Sequence, residues 1–457
     1  MGSPGLNLAR QKMLDAGVDE VAVDTFAHYY RLLEHGETGM IPETAIEPID
    51  MEALADVEVA DEVAADAIRT TAVIKLNGGL GTSMGMDRAK SLLCVRRGLS
   101  FLDVIARQVL HLRKQYDAPL PMIFMNSFRT SADTMAALAR YEDLAVDGLP
   151  LEFWQNKEPK LLEKGLVPAS YPRNPDLEWC PPGHGDLYTA LRGTGLLDRL
   201  IEQGYERVFV SNSDNLGATP DPRLAGWLKS HRIPFAIEAV RRTPSDRKGG
   251  HFARRRSDGR IVLRETAQTL PQDQEALADL SRHRYSSTNN LWFDLVAMSN
   301  ELDRRGGILG LPLIRNVKNL DPADTSTPKV IQIETAMGAA IEVFAAARTI
   351  EVGRDRFIPV KTTNDLLVLR SDVYDLGADF GLDQEGDLPF VDLDPDFYRM
   401  VGDFDQRFPE GAPSLRRARS LKVEGDFTFG RGVEVVGDVE LEADTAKRIA
   451  AGTVLDG

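Results

Sequence analysis

The stretch Ala72-Val-Ile-Lys-Leu-Asn-Gly-Gly-Leu-Gly-Thr-Ser-Met-Gly85 joins an apolar run to a glycine-rich loop. The β-branched and apolar residues at 72–76 predict a strand. Glycines that follow a strand let the backbone approach a phosphate closely and turn its N–H groups toward the anion. Lys90 comes a few residues later and can reach the same phosphates. We therefore predict that this loop binds a phosphorylated ligand, with a tight structural turn as the alternative.

Two familiar phosphate-binding motifs do not fit this loop. The dinucleotide fingerprint requires a third glycine where the sequence has Met84. The P-loop ends in Gly-Lys-Ser/Thr, whereas Gly85 is followed by Met86. The failed fingerprint disfavours a nicotinamide-dependent dehydrogenase, which is the alternative from a different enzyme class.

Beyond the loop, short apolar runs alternate with longer helical patterns. Strands are predicted at 72–76, 122–125, 207–210 and 235–240, and helices at 101–114, 131–141, 187–202 and 222–231. This alternation is typical of an α/β fold with a doubly wound, mostly parallel sheet that helices cover on both faces. Ligands bind such sheets beyond the carboxyl ends of the strands. The residues at 77–79, 126–127 and 211–215 are therefore candidates for a site.

The two ends of the chain have different patterns. Helical spacing of apolar residues predicts a packing helix at 19–35, and the acidic stretch 42–66 is interpreted as a surface connector that is partly helical. Near the C-terminus, apolar pairs recur every six residues, at Leu421/Val423, Phe427/Phe429, Val433/Val435 and Val439/Leu441. This repeat favours a parallel β-helix over an antiparallel meander. We expect an N-terminal helical and acidic segment (1–69), a central α/β domain (70–400) and a C-terminal β-helix domain (401–457).

The composition is that of a large globular protein with an acidic surface. Of 457 residues, 43% are hydrophobic and 27% are charged, which excludes collagen-like and low-complexity classes. The net charge of −16 disfavours nucleic acid and anionic membranes as partners. Cys94 and Cys180 are too few for a disulfide framework, and apolar runs are too short to span a membrane. We expect a cytoplasmic protein whose anionic ligands meet a local basic pocket.

Three further segments carry candidate site residues. His184 lies between two glycines, where its ring is poorly placed for core packing. Asp214 follows a predicted strand, and a carboxylate beside phosphates is a common way to hold Mg²⁺. The segment 354–361 places three cations within eight residues. The alternatives are a structural histidine, ordinary turn chemistry and surface solvation.

Together these motifs resemble the eukaryotic-type UTP–glucose-1-phosphate uridylyltransferases, also called UDP-glucose pyrophosphorylases. The resemblance is carried, in order along the chain, by Lys75-Leu-Asn-Gly-Gly-Leu-Gly-Thr-Ser-Met-Gly85, Pro181-Pro-Gly-His-Gly-Asp186, Ser211-Asn-Ser-Asp-Asn-Leu-Gly-Ala-Thr219, Ser287-Thr-Asn-Asn-Leu-Trp292, Val330-Ile-Gln-Ile-Glu-Thr-Ala336 and Arg356-Phe-Ile-Pro-Val-Lys-Thr-Thr363. It implies a nucleotide-diphospho-sugar transferase fold of the Rossmann-like type with a C-terminal left-handed parallel β-helix. It also implies reversible uridylyl transfer from UTP to glucose 1-phosphate with release of pyrophosphate, use of Mg²⁺, and homo-oligomers joined through the β-helix.

The resemblance also implies site residues, position by position. The UTP-binding set is Leu76, Asn77, Gly78, Gly79, Lys90, Gln155, Gly183, Asn212 and Lys361. The set for the sugar phosphate is Gly78, Gly79, His184, Asn212, Ser213, Asp214, Asn289, Asn290 and Glu334, with Lys248 nearby. Asp214 is the implied metal ligand, and Lys361 and Lys90 are the implied catalytic cations.

The implied chemistry needs cations more than it needs a base. A phosphate monoester is mostly dianionic near neutral pH, so the attacking oxygen of glucose 1-phosphate needs no general base. In-line attack on the α-phosphorus of UTP then depends on positioning and on charge stabilisation by Lys90, Lys361 and Mg²⁺. The alternatives are a related UDP-sugar or UDP-N-acetylglucosamine pyrophosphorylase and, outside this class, a non-catalytic β-helix scaffold.

Overall fold

The structure is a computed structural model that describes residues 3–243, 246–247 and 249–457. Lys248, which is expected near the sugar phosphate, lies outside the described residues. No helix of the described ranges is long and apolar enough to cross a membrane.

The α-helices of the described residues surround a large central sheet. In chain order they are α1 (Pro4–Asp15), α2 (Glu20–Glu34), α3 (Asp61–Arg69), α4 (Phe101–Tyr116), α5 (Ser131–Leu138), α6 (Asp186–Gly193), α7 (Leu196–Glu202), α8 (Pro222–His231), α9 (Gln274–Ala278), α10 (Leu295–Arg304), α11 (Thr363–Arg370), α12 (Pro395–Tyr398) and α13 (Val401–Arg407).

The strands form the central sheet, a C-terminal parallel sheet and several smaller sheets. In chain order they are β1 (Ile46–Glu47), β2 (Glu52–Ala53), β3 (Thr71–Asn77), β4 (Cys94–Arg96), β5 (Leu99–Ser100), β6 (Met122–Asn126), β7 (Glu152–Trp154), β8 (Glu158–Pro159), β9 (Leu161–Leu162), β10 (Trp179–Cys180), β11 (Arg207–Asn212), β12 (Phe235–Arg241), β13 (His251–Arg255), β14 (Ile261–Arg264), β15 (Tyr285–Asp294), β16 (Ile314–Asn319), β17 (Lys329–Glu334), β18 (Arg348–Glu351), β19 (Tyr374–Leu376), β20 (Leu382–Gln384), β21 (Phe390–Leu393), β22 (Ser414–Glu424), β23 (Phe427–Phe429), β24 (Glu434–Glu442), β25 (Lys447–Ile449) and β26 (Val454–Asp456).

The central sheet has eight strands in the order β2-β18-β12-β15-β11-β3-β6-β7. Only β15 runs antiparallel to its neighbours, and every other neighbouring pair is parallel. The four predicted strands are β3, β6, β11 and β12, all in this sheet. The predicted α/β fold with a mostly parallel sheet is confirmed.

Both faces of the central sheet are buried, as a doubly wound fold requires. Successive residues of β3 point to opposite faces, so Val73 joins one hydrophobic core and Ile74 the other. The core of Val73 also contains residues of α3, α4 and α8, and the core of Ile74 contains residues of α6, α7 and α10. The polar carboxyl ends of the strands are thus held on a scaffold that is packed from both sides.

Two sequence interpretations are wrong in detail. The predicted helix 187–202 is broken into α6 and α7, because Gly195 adopts a positive φ of 67° that ends the regular helix. The acidic stretch 42–66 is partly helical, as predicted, since α3 begins at Asp61, but it is more than a surface connector. It contributes β2 to the edge of the central sheet and β1 to a sheet with β13, where the Ile46 side chain is buried.

The C-terminal strands pair in parallel, which excludes an antiparallel meander for them. One sheet has the order β21-β22-β24-β26, and β23 pairs with β25. The repeated apolar side chains point inward, as the buried Leu421, Phe429 and Val435 illustrate. Since β21 lies before residue 400 in the chain, the sheet begins earlier than the expected C-terminal unit; the three-domain division stays a prediction.

A substitution at Gly425 tests how tightly the successive turns of these parallel strands are packed. The φ of Gly425 is 99°, and a Cβ there would clash with the Ala443 carbonyl oxygen, whereas Gly411 has a φ of 101° and open space. Both alanine variants incur backbone strain of about 1–3 kcal/mol. We expect Gly425→Ala to lower the free energy of unfolding by about 1–3 kcal/mol more than Gly411→Ala, because of the clash. Chemical denaturation checks this, and equal losses would contradict the packing.

Candidate active site

A pocket of about 330 Å³ lies at the carboxyl ends of four neighbouring strands of the central sheet, β11, β3, β6 and β7. Its lining residues are Leu76, Gly78, Gly79, Lys90, Met125, Gln155, Pro181, Gly183, His184, Asn212, Ser213 and Asp214. Ten of these are predicted site residues, so the structure brings together segments that are far apart in sequence. Larger clefts elsewhere contain none of the predicted site residues.

The glycine-rich loop is shaped by close backbone approaches. Gly78 packs against the Gln155 side chain so closely that a Cβ would overlap the Gln155 amide oxygen. Gly81 and Gly85 adopt positive φ angles on either side of a short 3₁₀ turn. The Lys90 N–H donates to the Gly79 carbonyl at 3.1 Å. The loop therefore folds back so that the Lys90 side chain and the loop backbone border the same pocket.

Asn77 supports the pocket from behind. Its amide nitrogen donates to Asn126 at 2.8 Å and to Thr134 at 2.9 Å, while its oxygen accepts a hydrogen bond from the Ser213 hydroxyl at 2.9 Å. The Asn77 side chain is buried and does not line the pocket. Its amide thus joins the loops that follow β3, β6 and β11.

Lys90 and Asp214 form the central ion pair of the pocket. The Lys90 Nζ lies 2.8 Å from the Asp214 Oδ2, and it also donates to the Val360 carbonyl. The Val360 N–H in turn donates to the Asp214 carbonyl at 3.3 Å. Both charged side chains keep about a fifth of their surface exposed, so they face the pocket. An anionic ligand can therefore replace the Asp214 carboxylate as the partner of the Lys90 ammonium group.

His184 presents a neutral ring at the edge of the pocket. Its Nδ1 accepts a hydrogen bond from the Met337 N–H at 3.0 Å, so this nitrogen carries no proton. The ring itself is exposed, but the dense surrounding protein removes solvation and lowers the pKa of His184 to about 4. The proton then resides on Nε2, which can donate to a ligand.

The loop before α6 is locked against the next segment of the pocket. A Cβ on Gly183 or Gly185 would collide with Thr335, so both glycines are needed for this close approach. The buried Asp186 carboxylate accepts hydrogen bonds from the Asn156 N–H at 2.6 Å and from the Asn156 amide at 2.8 Å. This pair joins the loop of Gly183 to the segment of Gln155.

Five predicted site residues of the described ranges do not line this pocket: Asn77, Lys361, Asn289, Asn290 and Glu334. Lys361 is exposed, and its N–H donates to Asp365 at 2.8 Å. Asn289 adopts a positive φ of 59° within β15, and Asn290 is buried. Glu334 ends β17, close to Gly183.

The Asn290 side chain already has partners in the protein. Its amide nitrogen donates to Glu238 at 3.0 Å and to the Arg356 carbonyl at 3.3 Å. A carbohydrate contact from Asn290 would need a different side-chain arrangement.

The sequence analysis missed two pocket residues. Met125 is the last residue of the predicted strand 122–125, so the rule that ligands bind beyond strand ends could have found it. Pro181 belongs to a quoted motif but received no role. Both add apolar surface to the same pocket as Gln155, and a flat organic group can pack on such surface.

The pocket offers one carboxylate to a metal. No group of three or more His, Cys, Asp or Glu side chains that could hold an ion occurs in the described part of the chain. A Mg²⁺ ion, however, is often held by one or two carboxylates together with ligand phosphate oxygens and water. Asp214 fits that arrangement once a phosphorylated ligand is bound.

Comparisons with known proteins agree on one family. The family model described as UTP–glucose-1-phosphate uridylyltransferase matches residues 23–435. A protein of Schizosaccharomyces pombe named "Probable UTP–glucose-1-phosphate uridylyltransferase" is 37% identical over 402 residues, covering 86% of this chain and 77% of that protein. The UTP–glucose-1-phosphate uridylyltransferase of Hordeum vulgare is 37% identical over 391 residues, covering 84% and 80%.

Solved structures show the same similarity over the whole chain. A variant of UDP-glucose pyrophosphorylase from Leishmania major, crystallised in complex with UDP-glucose, superposes with a TM-score of 0.94 at 42% identity, covering 100% of this chain and 99% of that one. A Trypanosoma brucei structure described as UDP-glucose phosphorylase gives a TM-score of 0.92 at 40% identity, covering 99% and 98%.

The raised pKa of Asp186 makes the free energy of unfolding depend on pH. Burial raises its pKa to about 6, while the bonds from Asn156 oppose the increase. Because the folded-state pKa exceeds the unfolded value, the stability from this carboxyl is present below pH ~4 and is lost as the pH rises through ~6. The free energy of unfolding of wild type should therefore fall relative to Asp186→Asn over this range, by at most about 1.4 kcal/mol per pH unit. Denaturant titrations of both proteins measure this difference; a difference independent of pH would contradict the prediction.

Proposed function

The chain belongs to the UTP–glucose-1-phosphate uridylyltransferase family, and from this premise we propose how its pocket performs the reaction. It is a nucleotidyltransferase that transfers the uridylyl group of UTP to glucose 1-phosphate, giving UDP-glucose and pyrophosphate. The observation that supports the proposed mechanism best is the contact of Lys90 with both Asp214 and the Val360 carbonyl. It joins the phosphate-binding loop, the proposed metal ligand and the segment that leads to Lys361.

The uridine end of UTP would lie between Leu76, Met125 and Pro181. Gln155 and Gly183 offer hydrogen-bonding groups at this end of the pocket, and a uracil edge carries complementary donors and acceptors. The loop backbone at Gly78 and Gly79 would follow the phosphates. The Asn212 side chain, at the end of β11, would contact the ribose.

The reaction itself brings two anions together. The phosphate oxygen of glucose 1-phosphate attacks the α-phosphorus of UTP, a new P–O bond forms, and the bond to pyrophosphate breaks. Lys90 would leave Asp214 for the UTP phosphates, and Lys361 would neutralise the charge that develops at the α-phosphorus. No side chain has to remove a proton from the attacking oxygen.

Asp214 would hold a divalent cation, which we propose is Mg²⁺, together with the substrate phosphates. When bound, this ion supplies positive charge to the phosphate oxygens and helps to align them. The Asp214 carboxylate becomes available when Lys90 moves to the phosphates. Exchange of partners within the ion pair therefore couples nucleotide binding to the metal site.

The sugar phosphate would lie next to His184 and Ser213. The neutral His184 ring can donate from Nε2 to a phosphate oxygen, since its Nδ1 is held by the Met337 N–H. Glu334 is close to Gly183 and is a candidate for the glucose hydroxyls, as are Asn289 and Asn290.

We also propose that the C-terminal parallel strands form a left-handed β-helix. From β22 onward, partners in neighbouring strands differ by 18 to 20 residues, as in Leu421 with Val439 and Phe427 with Lys447, which is close to three six-residue repeats per turn. The first pair, β21 with β22, is separated by a longer connection, since Val391 pairs with Leu421. Homo-oligomers through this unit and a cytoplasmic location stay predictions.

Pyrophosphate release tests the substrate assignment. The reaction contains UTP and Mg²⁺ with glucose 1-phosphate, galactose 1-phosphate, N-acetylglucosamine 1-phosphate or no sugar. We expect fast release with glucose 1-phosphate alone. Equal release with several sugars would instead favour a UDP-sugar pyrophosphorylase of broad specificity.

Lys361 and Asp214 are tested by substitution. Lys361→Ala removes a positive charge that would stabilise the reacting phosphates, and Asp214→Ala removes the proposed ligand of the metal ion. We therefore expect each substitution to lower kcat by about 100-fold or more without unfolding the protein. The control is Lys114→Ala, which removes an exposed lysine from α4, outside the pocket. Steady-state kinetics and circular dichroism of the three variants provide the test. Normal turnover in folded Lys361→Ala would remove Lys361 from the mechanism.

A further inference from the structure

We propose that Asn215 is a positioning residue that sets the location of Lys361. The inference rests on the proposed role of Lys361 in the transfer. Asn215 directly follows Asp214, and its side chain is 1% exposed, so it touches neither solvent nor the pocket. Any effect of Asn215 on catalysis must therefore pass through the groups that its amide holds.

The Asn215 amide binds the backbone that leads to Lys361 at two points. Its oxygen accepts a hydrogen bond from the Ile358 N–H at 2.9 Å. Its nitrogen donates to the Arg356 carbonyl at 3.1 Å and, at the longer distance of 3.4 Å, to the Asn290 side-chain oxygen. Asn215 and Pro359 also form an isolated antiparallel bridge outside the named sheets. The Asn215 side chain thus makes hydrogen bonds to the backbone of residues 356–359 of the kind that a neighbouring strand would make.

Arg356 fixes the start of this segment in the core. Its guanidinium forms a bidentate ion pair with the fully buried Glu238, with both N–O distances at 2.7 Å. Trp292 and Asn290 donate to the remaining positions of the same carboxylate at 2.9 and 3.0 Å. A buried carboxylate with four donors has little freedom to move. Arg356 is therefore a rigid anchor for the chain that follows it.

Gly217 shows how closely the two segments approach. A Cβ at this residue would overlap the Asp355 carbonyl oxygen and crowd the Arg356 backbone. A larger residue would therefore push residues 355–361 away from the loop of Asp214. The close contact is built from backbone as well as from the Asn215 side chain.

The backbone beyond Lys361 is held as well. The Asp365 carboxylate accepts hydrogen bonds from the Lys361 N–H and from the Thr362 N–H, both at 2.8 Å, at the start of α11. Lys361 thus lies between a clamp at Asn215 and a helix cap at Asp365. The distance of its backbone from Asp214 and Lys90 therefore depends on the Asn215 amide together with the direct contacts of Val360 with these two residues.

The experiment compares Asn215→Ala with Gln108→Ala. Gln108 is a buried amide on α4 that donates to the Leu216 and Phe380 carbonyls, so its loss disturbs the same loop without touching residues 356–361. A small displacement of a catalytic group is enough to slow the reaction strongly. We expect Asn215→Ala to lower kcat by about tenfold or more with KM for both substrates changed by less than about threefold. Gln108→Ala should keep kcat within about threefold of wild type.

A double variant shows whether Asn215 acts through Lys361. When Lys361 is already alanine, its position no longer matters, so adding Asn215→Ala should change kcat by less than about twofold. If Asn215→Ala lowers kcat by the same factor in both backgrounds, Asn215 acts independently of Lys361 and the proposal is wrong. Unchanged kcat in folded Asn215→Ala, or an equal loss in Gln108→Ala, would also overturn it.

Gly217→Ala tests the same geometry if Asn215→Ala does not fold. It moves residues 355–361 by steric overlap and leaves every side-chain hydrogen bond of Asn215 chemically possible. The expected result is again a lower kcat with little change in KM, and unchanged kcat in the folded variant would overturn the proposal. Lys361→Ala, measured in parallel, distinguishes a failure of the proposed mechanism from a failure of the inference about Asn215. If it retains full turnover, the proposed mechanism fails; if it is impaired while the Asn215 and Gly217 variants are not, only the present inference fails.

Discussion

One ammonium group connects the parts of this active site. The Lys90 Nζ lies 2.8 Å from the Asp214 carboxylate and also donates to the Val360 carbonyl. These contacts tie the glycine-rich loop to the end of β11 and to the segment before Lys361. The lysine can exchange its carboxylate partner for phosphate oxygens at little cost while it keeps the carbonyl, because one charge-assisted hydrogen bond is replaced by another of the same kind. The pocket is therefore organised before the nucleotide arrives.

The charge of the whole chain makes this local arrangement necessary. With a net charge of −16, the protein surface repels UTP and sugar phosphates at long range. Binding must rely on a few cations and N–H groups that lie close to the phosphates. His184 adds a hydrogen-bond donor that carries no charge near neutral pH, because desolvation by the surrounding protein lowers its pKa to about 4. Positive charge and hydrogen-bond donors are concentrated at one edge of the central sheet, in an otherwise acidic protein.

Much of this arrangement is predictable from the sequence, for reasons that are local. The apolar runs of β3, β6, β11 and β12 identify the central sheet, and the residues that follow β3 and β11 are the ones that line the pocket. The break at Gly195 was missed because the flanking apolar residues keep a helical spacing. The burial of Asn290 and the Asn215 clamp could not be predicted either, because both depend on Glu238 and Arg356, which are distant in sequence and meet only in the folded core. Local patterns thus locate the strand ends, and tertiary contacts decide which polar side chains face the pocket.

The most direct test of the central claim is a crystal structure of the chain with Mg²⁺ and a non-hydrolysable UTP analogue. The exchange described here predicts that the Lys90 Nζ moves from Asp214 to within about 3.2 Å of a phosphate oxygen, that Asp214 coordinates the metal, and that the Val360 contact persists. Phosphates bound away from Lys90, with the Lys90–Asp214 ion pair intact, would contradict it.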